Sequence, residues 1–368
     1  MERKRFKMKI LSPVHIGSNR ALEPLDYVVL DNYLYFIDFS AFFAQKELAK
    51  DIFGSNKNTV YIRQKMRDVF LRFKNEGKIS QFTVSKVKVS KELADEYEKN
   101  LSRIESSLQV LLFPRNPKPY IPGSSIKGAI RTGVLNEMAN YEKGRNCDNK
   151  NTRVYSKKTG KSYLDSRKVE YCLLKAQVQG RDGRFRNDFS RDPFQYLKVS
   201  DAEVEGSTKV VLCGNYSFAK SYKRGIPTKR EVVYSDAERE IVFEVVFDKE
   251  RAEKNISLDV NGIDGFLHYA GEFYRKKLKL LIKNLQENAK NFGGRDDVLS
   301  ELESVCSKAV SGSCLLRIGF GSGYDCVTLE KYRKQKEPQR GRPGKGWGYS
   351  INLAEGRRPL GWVMLVEY

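Results

Sequence analysis

Side chains that bind metals through nitrogen or sulfur are scarce in this sequence. Its 368 residues include two histidines, His15 and His268, and six cysteines, none of which belongs to a C-x-x-C pair. Zinc sites need closely spaced cysteines or histidines, so this composition argues against one. We therefore expect neither a metal nor a cofactor.

Long apolar segments are missing as well. The sequence has no run of about 18 apolar residues, so we expect no membrane-crossing helix and no membrane partner. Residues 1–10 are basic but contain no apolar core of the kind that marks a secretory signal. In a chain without such a signal, we expect the six cysteines to be free thiols in a reducing cytoplasm.

The charge of the chain is strongly one-sided. The sequence contains 67 lysines and arginines against 46 aspartates and glutamates, which gives a formal net charge of +21. The excess is spread along the chain and forms no single basic tail. Such a distribution indicates a polyanionic partner held in a long groove, with nucleic acid favoured over a membrane surface.

The order of predicted elements favours an α+β fold with ferredoxin-like sheets, because strands and helices do not alternate strictly. Two halves are predicted, residues 1–198 and 199–368. The first half carries a helical insertion at about 45–115 and a basic insertion at 141–192, which is poor in aliphatic residues. The predicted helices and strands cover the following segments: strands at 5–14, 27–30, 33–37, 314–318 and 361–366, and helices at 39–50, 60–74, 91–104, 264–289 and 297–310.

The segment from Pro122 to Arg131 predicts a turn that opens a helix. Ser124 or Ser125 can cap the helix, and Lys127 lies four residues before Arg131, on the same helix face. Free backbone N–H groups, a hydroxyl and two cations at a helix start make an anion site. An ordinary capped amphipathic helix with solvated charges is the alternative.

A glycine-rich loop is predicted after the strand that ends near Arg317. Gly319, Gly321 and Gly323 alternate, and glycine allows a backbone to approach a ligand closely. A dinucleotide site would need the pattern G-x-G-x-x-G at the start of a helix. The third glycine comes one position too early for that, so a loop lying against RNA or a neighbouring strand is favoured over a nucleotide-binding enzyme.

Basic and aromatic residues are interleaved after this loop. Positive charges offer phosphate contacts and aromatic rings offer stacking faces for bases. The alternative is a flexible solvated loop whose aromatic residues cover the core. The residues that we expect to contact RNA here are Lys331, Arg333, Arg340, Arg342 and Trp347.

Few residues point to catalysis. His15 follows a strand next to the turn at Gly17 and Ser18, and it could act as a general base. Asp26 is the nearest carboxylate after it and could polarise a 2′-hydroxyl or bind a metal. A structural or RNA-contacting role for His15, and a capping role for Asp26, are the alternatives, and for His15 the structural or RNA-contacting role is favoured.

Two of these segments resemble the N-terminal signatures of the RAMP superfamily of CRISPR proteins. They are residues 11–17, with the sequence LSPVHIG, and residues 120–131, with the sequence YIPGSSIKGAIR. Later parts of the family pattern are similar to residues 199–202, 319–323 and 360–362. The matches therefore run from one end of the chain to the other.

Within that superfamily, the chain looks most like the fifth-subunit family of type III-A (Csm) effector complexes. The resemblance implies a modified RNA-recognition-motif fold with a thumb-like hairpin. It also implies a subunit at the end of the backbone filament that holds the 3′ part of the guide RNA and assists its trimming. Implied partners are the guide RNA, target RNA, the third and the small second subunits, and host nucleases.

The resemblance also bears on catalysis. The third subunit of such complexes cuts target RNA with an aspartate on the loop after its His-Ile-Gly signature. Asp26 is the nearest counterpart here, but its spacing from His15 is shorter, so we predict no nuclease activity. A ribonuclease that uses Asp26 or His15 remains the alternative. The residues expected to bind RNA are His15, Gly17, Ser18, Ser124, Ser125, Lys127, Arg131, Arg317, Gly319, Gly321, Gly323, Lys331, Arg333, Arg340, Arg342 and Trp347.

Overall fold

The computed structural model describes most of the chain. Outside the described part lie residues 55–57, 103–108, 117, 142–146, 159, 206–207, 218–222, 225–226, 235–240, 256–260, 288–294, 311 and 333–349. None of the described helices is long and apolar enough to span a membrane.

Strands and helices are numbered in chain order. The strands are β1 (Glu2–Ile10), β2 (Ala21–Leu22), β3 (Tyr27–Leu30), β4 (Tyr33–Ile37), β5 (Thr83–Val89), β6 (Val110–Leu111), β7 (Tyr120–Ile121), β8 (Arg153–Ser156), β9 (Lys161–Leu164), β10 (Gln177–Gln179), β11 (Phe185–Asn187), β12 (Leu197–Val199), β13 (Ala202–Glu203), β14 (Lys209–Ser217), β15 (Lys223–Arg224), β16 (Thr228–Val232), β17 (Ile241–Phe247), β18 (Cys314–Arg317), β19 (Ser350–Ala354), β20 (Arg358–Pro359) and β21 (Trp362–Glu367). The helices are α1 (Phe39–Phe43), α2 (Lys46–Phe53), α3 (Thr59–Asn75), α4 (Lys91–Asn100), α5 (Gly123–Tyr141), α6 (Ser166–Leu173), α7 (Lys249–Asn255), α8 (Gly262–Glu287) and α9 (Asp296–Lys308).

A five-stranded antiparallel sheet forms the centre of the fold, with the order β12-β17-β1-β21-β18. Strand β1 lies in the middle because its alternate residues Phe6, Met8 and Ile10 are apolar and buried. Helices α5 and α8 bury their apolar faces in the same core. The sequence order of β1, α5, β12, β17, α8 and β21 within this sheet is the ferredoxin-like arrangement. The predicted α+β class is therefore confirmed.

A second sheet follows the path β2-β6-β16-β14-β5-β4-β3, and β15, β19 and β20 join it beside that path. Strand β3 is buried on both faces because helices cover both sides of this sheet. Its residues Tyr27 and Val29 pack in one cluster with Leu93 of α4. Its residues Val28 and Leu30 pack in another cluster with residues of α1, α2 and α3.

The predicted boundary at residues 198 and 199 does not separate two sheets. It falls inside β12, and the central sheet takes β1 from one side of the boundary and β17, β18 and β21 from the other. The second sheet is shared in the same way. The reason is the ferredoxin-like topology, in which late strands pair on both sides of the first strand.

The basic insertion is an ordered structure in its described part, 147–192 without residue 159. It consists of the β8–β9 hairpin, α6 and the β10–β11 hairpin. Cys147 and Cys172 form a disulfide across this segment. The prediction that all six cysteines are free thiols is wrong for this pair, because the fold brings together two residues that are 25 positions apart.

Most predicted elements appear with shifted ends. The hairpin at 27–37 is confirmed, and helix α3 extends the predicted helix by one residue at each end. The predicted helix at 39–50 divides into α1 and α2, since Ala44 and Gln45 interrupt it.

Candidate nucleic-acid interface

A carboxylate from a residue far along the sequence accepts the first backbone N–H of helix α5. The N–H of Gly123 donates to Asp201 Oδ1 over 2.8 Å, so Asp201 satisfies one of the unpaired donors at the helix start. A Cβ atom on Gly123 would lie 2.1 Å from the carbonyl oxygen of Val199, which leaves room only for glycine. The helix begins at Gly123, so Ser124 and Ser125, which we predicted to cap it, lie inside its first turn.

Lys127 is the strongest candidate for an anion contact at this helix start. Its side chain is half-buried, and burial together with the positive charge of Lys198 lowers the pKa of its ammonium group. No ion pair joins Lys127 to another residue in the described part of the chain. A cation that is partly desolvated, close to other cations and beside a helix N-terminus is stabilised by a bound phosphate.

Arg131, predicted to contact phosphate with Lys127, is held by carboxylates instead. Its Nη1 donates to the two carboxylate oxygens of Asp192 over 3.0 and 2.8 Å, and its Nε donates to Glu170 over 3.1 Å. The guanidinium also lies over the ring of Phe194, 5.0 Å from its centroid. Arg131 is therefore not a candidate phosphate contact, because its donors hold the basic insertion against α5.

His15 lies in the core rather than on the surface. Its side chain is fully buried, between the rings of Phe113 and Phe320 at centroid distances of 6.4 and 6.1 Å. Its Nδ1 donates to the carbonyl oxygen of Glu231 over 2.7 Å, and its Nε2 has no partner among the described residues. Burial lowers its pKa to about 4, so the ring is neutral at pH 7. In this position His15 supports the neighbouring loops and offers no atom to RNA.

Glu231 organises the buried polar groups around this histidine. Its carboxylate is fully buried and accepts the N–H of Phe113 over 2.9 Å and Nη1 of Arg115 over 2.7 Å. It also accepts from Nη2 of Arg115 and from the hydroxyl of Thr208. Since a buried carboxylate needs such donors, Arg115 is committed to the core as well.

The glycine-rich loop packs directly on the His15 segment. Gly319 has φ +75°, and a Cβ atom there would lie 2.3 Å from the carbonyl oxygen of His15. The same oxygen accepts the N–H of Phe320 over 2.8 Å. Arg317 is buried and donates to the carbonyl oxygens of Leu360 and Gly321 over 3.0 and 2.9 Å. Arg317 thus shapes the loop from the inside, whereas Gly319 is exposed on it.

Phe320 of this loop forms a partly exposed pair with Arg230 of β16. The Arg230 guanidinium carbon lies 3.4 Å from the centroid of the Phe320 ring, which is 36% exposed. Arg230 donates through Nε to Thr228 Oγ1 over 3.1 Å, and within the described chain it has no carboxylate partner. Burial lowers the pKa of Arg230. Sequence reasoning missed this pair, because only the fold brings β16 next to the loop.

The other predicted contacts fall into three groups. Gly17 and Gly323 are exposed, and Gly321 is half-buried. Ser18 donates to the carbonyl oxygen of Leu112 over 2.9 Å, and Lys331 donates to that of Ala139 over 3.0 Å. The remaining predicted residues lie outside the described part of the chain: Arg333, Arg340, Arg342 and Trp347.

Asp26 has a local structural role. Its Oδ2 accepts the N–H of Glu23 over 2.7 Å, and its own N–H donates to the carbonyl oxygen of Glu23 over 2.9 Å. These two bonds close a turn just before β3. Within the described residues, no group of three or more His, Cys, Asp or Glu side chains is placed to hold a metal ion.

Comparison with known proteins identifies the family. A model of the RAMP superfamily matches residues 7–298, so the chain belongs to that superfamily. A Streptococcus thermophilus protein named CRISPR system Cms protein Csm5 is 30% identical over 176 residues, which cover 44% of this chain and 48% of that protein. A Methanocaldococcus jannaschii protein of the same name is 23% identical over 237 residues, which cover 61% of this chain and 49% of that protein. The chain thus matches about half the length of each curated relative.

Two solved structures share the fold along nearly the whole chain. One is the crystal structure of T. onnurineus Csm5, with a TM-score of 0.57 and 21% identity, covering 97% of this chain and 99% of that chain. The other is a chain in a cryo-EM structure of a Csm-crRNA-target RNA ternary complex, with a TM-score of 0.59 and 22% identity, covering 99% of this chain and 100% of that chain. At this identity the likeness establishes the fold.

Proposed function

We propose that this chain is a guide-RNA-binding subunit of a type III-A CRISPR (Csm) effector complex and has no catalytic activity of its own. The observation that carries the proposal is the match of its fold, over 99% of its length, to a chain of a Csm-crRNA-target RNA complex. The Csm5 name of both curated relatives supports the same subunit. In this proposal the complex acts in antiviral defence and lies in the cytoplasm.

The surface chemistry supports RNA binding. Lys127 and Arg230 are partly buried cations that form no ion pair among the described residues. The charge of Asp192 acts on Lys127, but that carboxylate is already paired with Arg131. Desolvated cations bind phosphate strongly, and the exposed ring of Phe320 offers a face on which a base can stack. We call Lys127, Arg230 and Phe320 the signature surface, because they lie beside the two family signatures.

The position that we propose in the complex is the one that the resemblance implies. We place the subunit at the end of the backbone filament, where it holds the 3′ part of the guide RNA and assists its maturation. Its partners in the proposal are the third subunit, the small second subunit, target RNA and host nucleases that trim the guide.

The surroundings of the two candidate catalytic residues, His15 and Asp26, support the non-catalytic part of the proposal. His15 is neutral, fully buried and bound to a backbone carbonyl, so it cannot reach a 2′-hydroxyl without a rearrangement of the loop above it. Asp26 already accepts a backbone N–H in its own turn. Neither arrangement is that of a general base within hydrogen-bond reach of a substrate.

RNA titration of purified protein tests the binding function. The Lys127→Ala/Arg230→Ala variant removes two candidate phosphate contacts, and Lys99→Ala/Lys279→Ala removes the same charge from exposed positions on α4 and α8. For single strands, loss of two contacts reduces the slope of log affinity against log salt by about 1.4. We expect that change in the first variant and none in the control. Equal behaviour of the two variants would contradict the signature surface.

Assembly and cleavage are tested separately. Tagged wild-type chain expressed with the other subunits is expected to co-purify with RNA and with those subunits. Incubation of the purified chain with labelled RNA, with and without divalent metal, is expected to leave the RNA intact. Cleavage that Asp26→Ala or His15→Ala abolishes would establish the ribonuclease alternative and overturn the non-catalytic part of the proposal.

A further inference from the structure

The basic insertion is firmly attached to the core. Arg131 of α5 binds both Glu170 and Asp192, and these residues lie on α6 and at the end of the insertion. The disulfide between Cys147 and Cys172 fixes its beginning to the same helix. The buried apolar face of α6 joins the main core. The insertion is therefore a rigid extension of the element that carries Lys127.

The first hairpin of the insertion exposes two aromatic rings beside its basic turn. Tyr155 is 66% exposed and Tyr163 is 47% exposed, although tyrosine rings usually pack against neighbours. The register pairs Val154 with Tyr163 and Tyr155 with Ser162, so the two rings lie on opposite faces of the hairpin. Three exposed lysines lie at its turn: Lys157, Lys158 and Lys161.

The second hairpin repeats this composition. Phe185 is 40% exposed, and Arg181 and Arg184 are exposed on either side of the turn at Gly183. Both hairpins are attached to the ends of α6. Asp165 follows β9 and caps α6, and the side chain of Gln177 in β10 donates to the carbonyl oxygen of Lys168 over 3.2 Å.

The acidic residues in the described part of the insertion are already occupied, which leaves the hairpin turns positive. One of them caps α6 and the others pair with arginines. The ion pairs are Asp148 with Arg153, Asp182 with Arg186, Asp188 with Arg191, and Glu170 and Asp192 with Arg131. In the described chain, Lys157, Lys158, Lys161, Arg181 and Arg184 have no ion pair. Five exposed cations thus lack a charge partner within the protein.

We propose that the two hairpin turns form a second surface for single-stranded RNA, separate from the signature surface. This surface, which we call the hairpin surface, consists of Tyr155, Lys157, Lys158, Lys161, Arg181, Arg184 and Phe185, and Tyr163 lies on the other face of the first hairpin. Exposed rings stack on unpaired bases, and interleaved cations contact the phosphates between them. Duplex RNA hides its bases, so it cannot use the rings. The inference rests on the proposed function and adds a second contact for the same RNA.

The test compares three sets of variants in the full-length chain. Lys157→Ala/Lys158→Ala/Lys161→Ala removes the charges of the first hairpin, and Tyr155→Ala/Phe185→Ala removes one ring from each hairpin. Lys127→Ala/Arg230→Ala reports on the signature surface, and Lys99→Ala/Lys279→Ala is the charge control. Thermal unfolding of each variant shows that the fold is retained. Binding of labelled single-stranded RNA is measured by anisotropy across a salt series.

The expected results are quantitative. Three lost phosphate contacts reduce the salt slope by about 2 for a single strand, so between about 50 and 200 mM salt the wild type loses about 18-fold more affinity than the triple variant. Loss of a stacked base weakens binding by about fivefold or more. Ultraviolet crosslinking of RNA is expected at Tyr155 or Phe185 in the wild-type chain.

Each alternative outcome is distinct. If the hairpin variants bind RNA like the wild type while the signature variant is weakened, the hairpin surface is refuted and the proposed function stands. If neither variant is weakened, the hairpin surface and the signature surface are both refuted, and the proposed function fails only if the wild-type chain does not bind RNA either. If the hairpin variants bind RNA normally but no longer assemble with the other subunits, the hairpins contact protein, and the RNA inference is overturned.

Discussion

Replacement of Arg131 by alanine separates two explanations of the same family signature. If this arginine holds a phosphate, its loss weakens RNA binding and leaves the fold intact. The structure leads to the opposite expectation. Asp192 is 6% exposed at its side chain, and the variant leaves its carboxylate without the guanidinium that donates to both of its oxygens.

The expected loss of stability depends on the hydrogen bonds that Asp192 retains in the Arg131→Ala variant. Removal of one member of a buried ion pair costs roughly 3 to 5 kcal/mol, because a desolvated charge remains. Asp192 still accepts the N–H of Phe194 over 2.9 Å, which compensates part of the loss. We therefore expect a decrease of about 3 kcal/mol in the free energy of unfolding. Lys127→Ala, one turn earlier on α5, removes no partner and is expected to change that free energy by less than about 0.5 kcal/mol.

Urea denaturation of the two variants measures this difference, and RNA titration of the same samples measures binding. We expect Arg131→Ala to lower the unfolding midpoint, whereas Lys127→Ala lowers RNA affinity at an unchanged midpoint. A double-mutant cycle with Asp192→Asn gives the coupling between Arg131 and Asp192 directly. An Arg131→Ala variant with wild-type stability and weakened RNA binding would refute our assignment and restore the phosphate role.

Three further changes test other parts of the site. Gly319→Ala is expected to lose about 2 kcal/mol or more of stability in urea denaturation, because its φ is +75° and the new Cβ meets the His15 carbonyl oxygen. The pKa of His15 is about 4 in the fold against 6.5 for a free histidine, so below pH 6.5 the unfolded chain binds a proton that the folded chain does not. The contribution of His15 to the free energy of unfolding is therefore fully present above pH 6.5 and is lost as the pH falls towards 4. The loss is about 3 kcal/mol, and His15→Gln should flatten this part of the stability profile. Cys172→Ser removes the disulfide and is expected to cost about 3.5 kcal/mol by the loop-entropy estimate. Thiol alkylation at lysis, followed by mass spectrometry, measures how much of the bond exists in cells.

Local patterns in the sequence predicted the elements of the fold well. Alternating apolar residues placed β1, and the Asp31-Asn32 pair placed the hairpin of β3 and β4, where both residues have positive φ. The motif at Pro122 placed the start of α5. Such features depend on neighbours in the chain, so a single sequence contains them.

The roles of the site residues depended instead on distant partners. Arg131 meets Asp192, which is 61 residues away, and Arg317 meets the carbonyl oxygen of Leu360, which is 43 residues away. His15 is buried by Phe113 and Phe320. No local pattern records such contacts, and for that reason three residues expected to contact RNA bind other parts of the protein instead.

Net charge also gives no information about which side chains are bound by distant partners. A formal charge of +21 predicts an anionic partner, but it does not identify the cations that reach it. A guanidinium offers five N–H donors in a fixed plane, which suits buried carboxylates and carbonyl oxygens, and Arg115, Arg131 and Arg317 are used in that way. An ammonium group is costlier to bury, and Lys127, Lys157, Lys158 and Lys161 form no ion pair among the described residues. Arg230 differs from the other three arginines because no carboxylate or carbonyl oxygen is bound to its guanidinium in the described chain, and an exposed ring lies against its plane instead. In this fold, RNA contacts are therefore best sought among cations that have no acidic partner, and the abundance of arginine in a motif is a poorer guide.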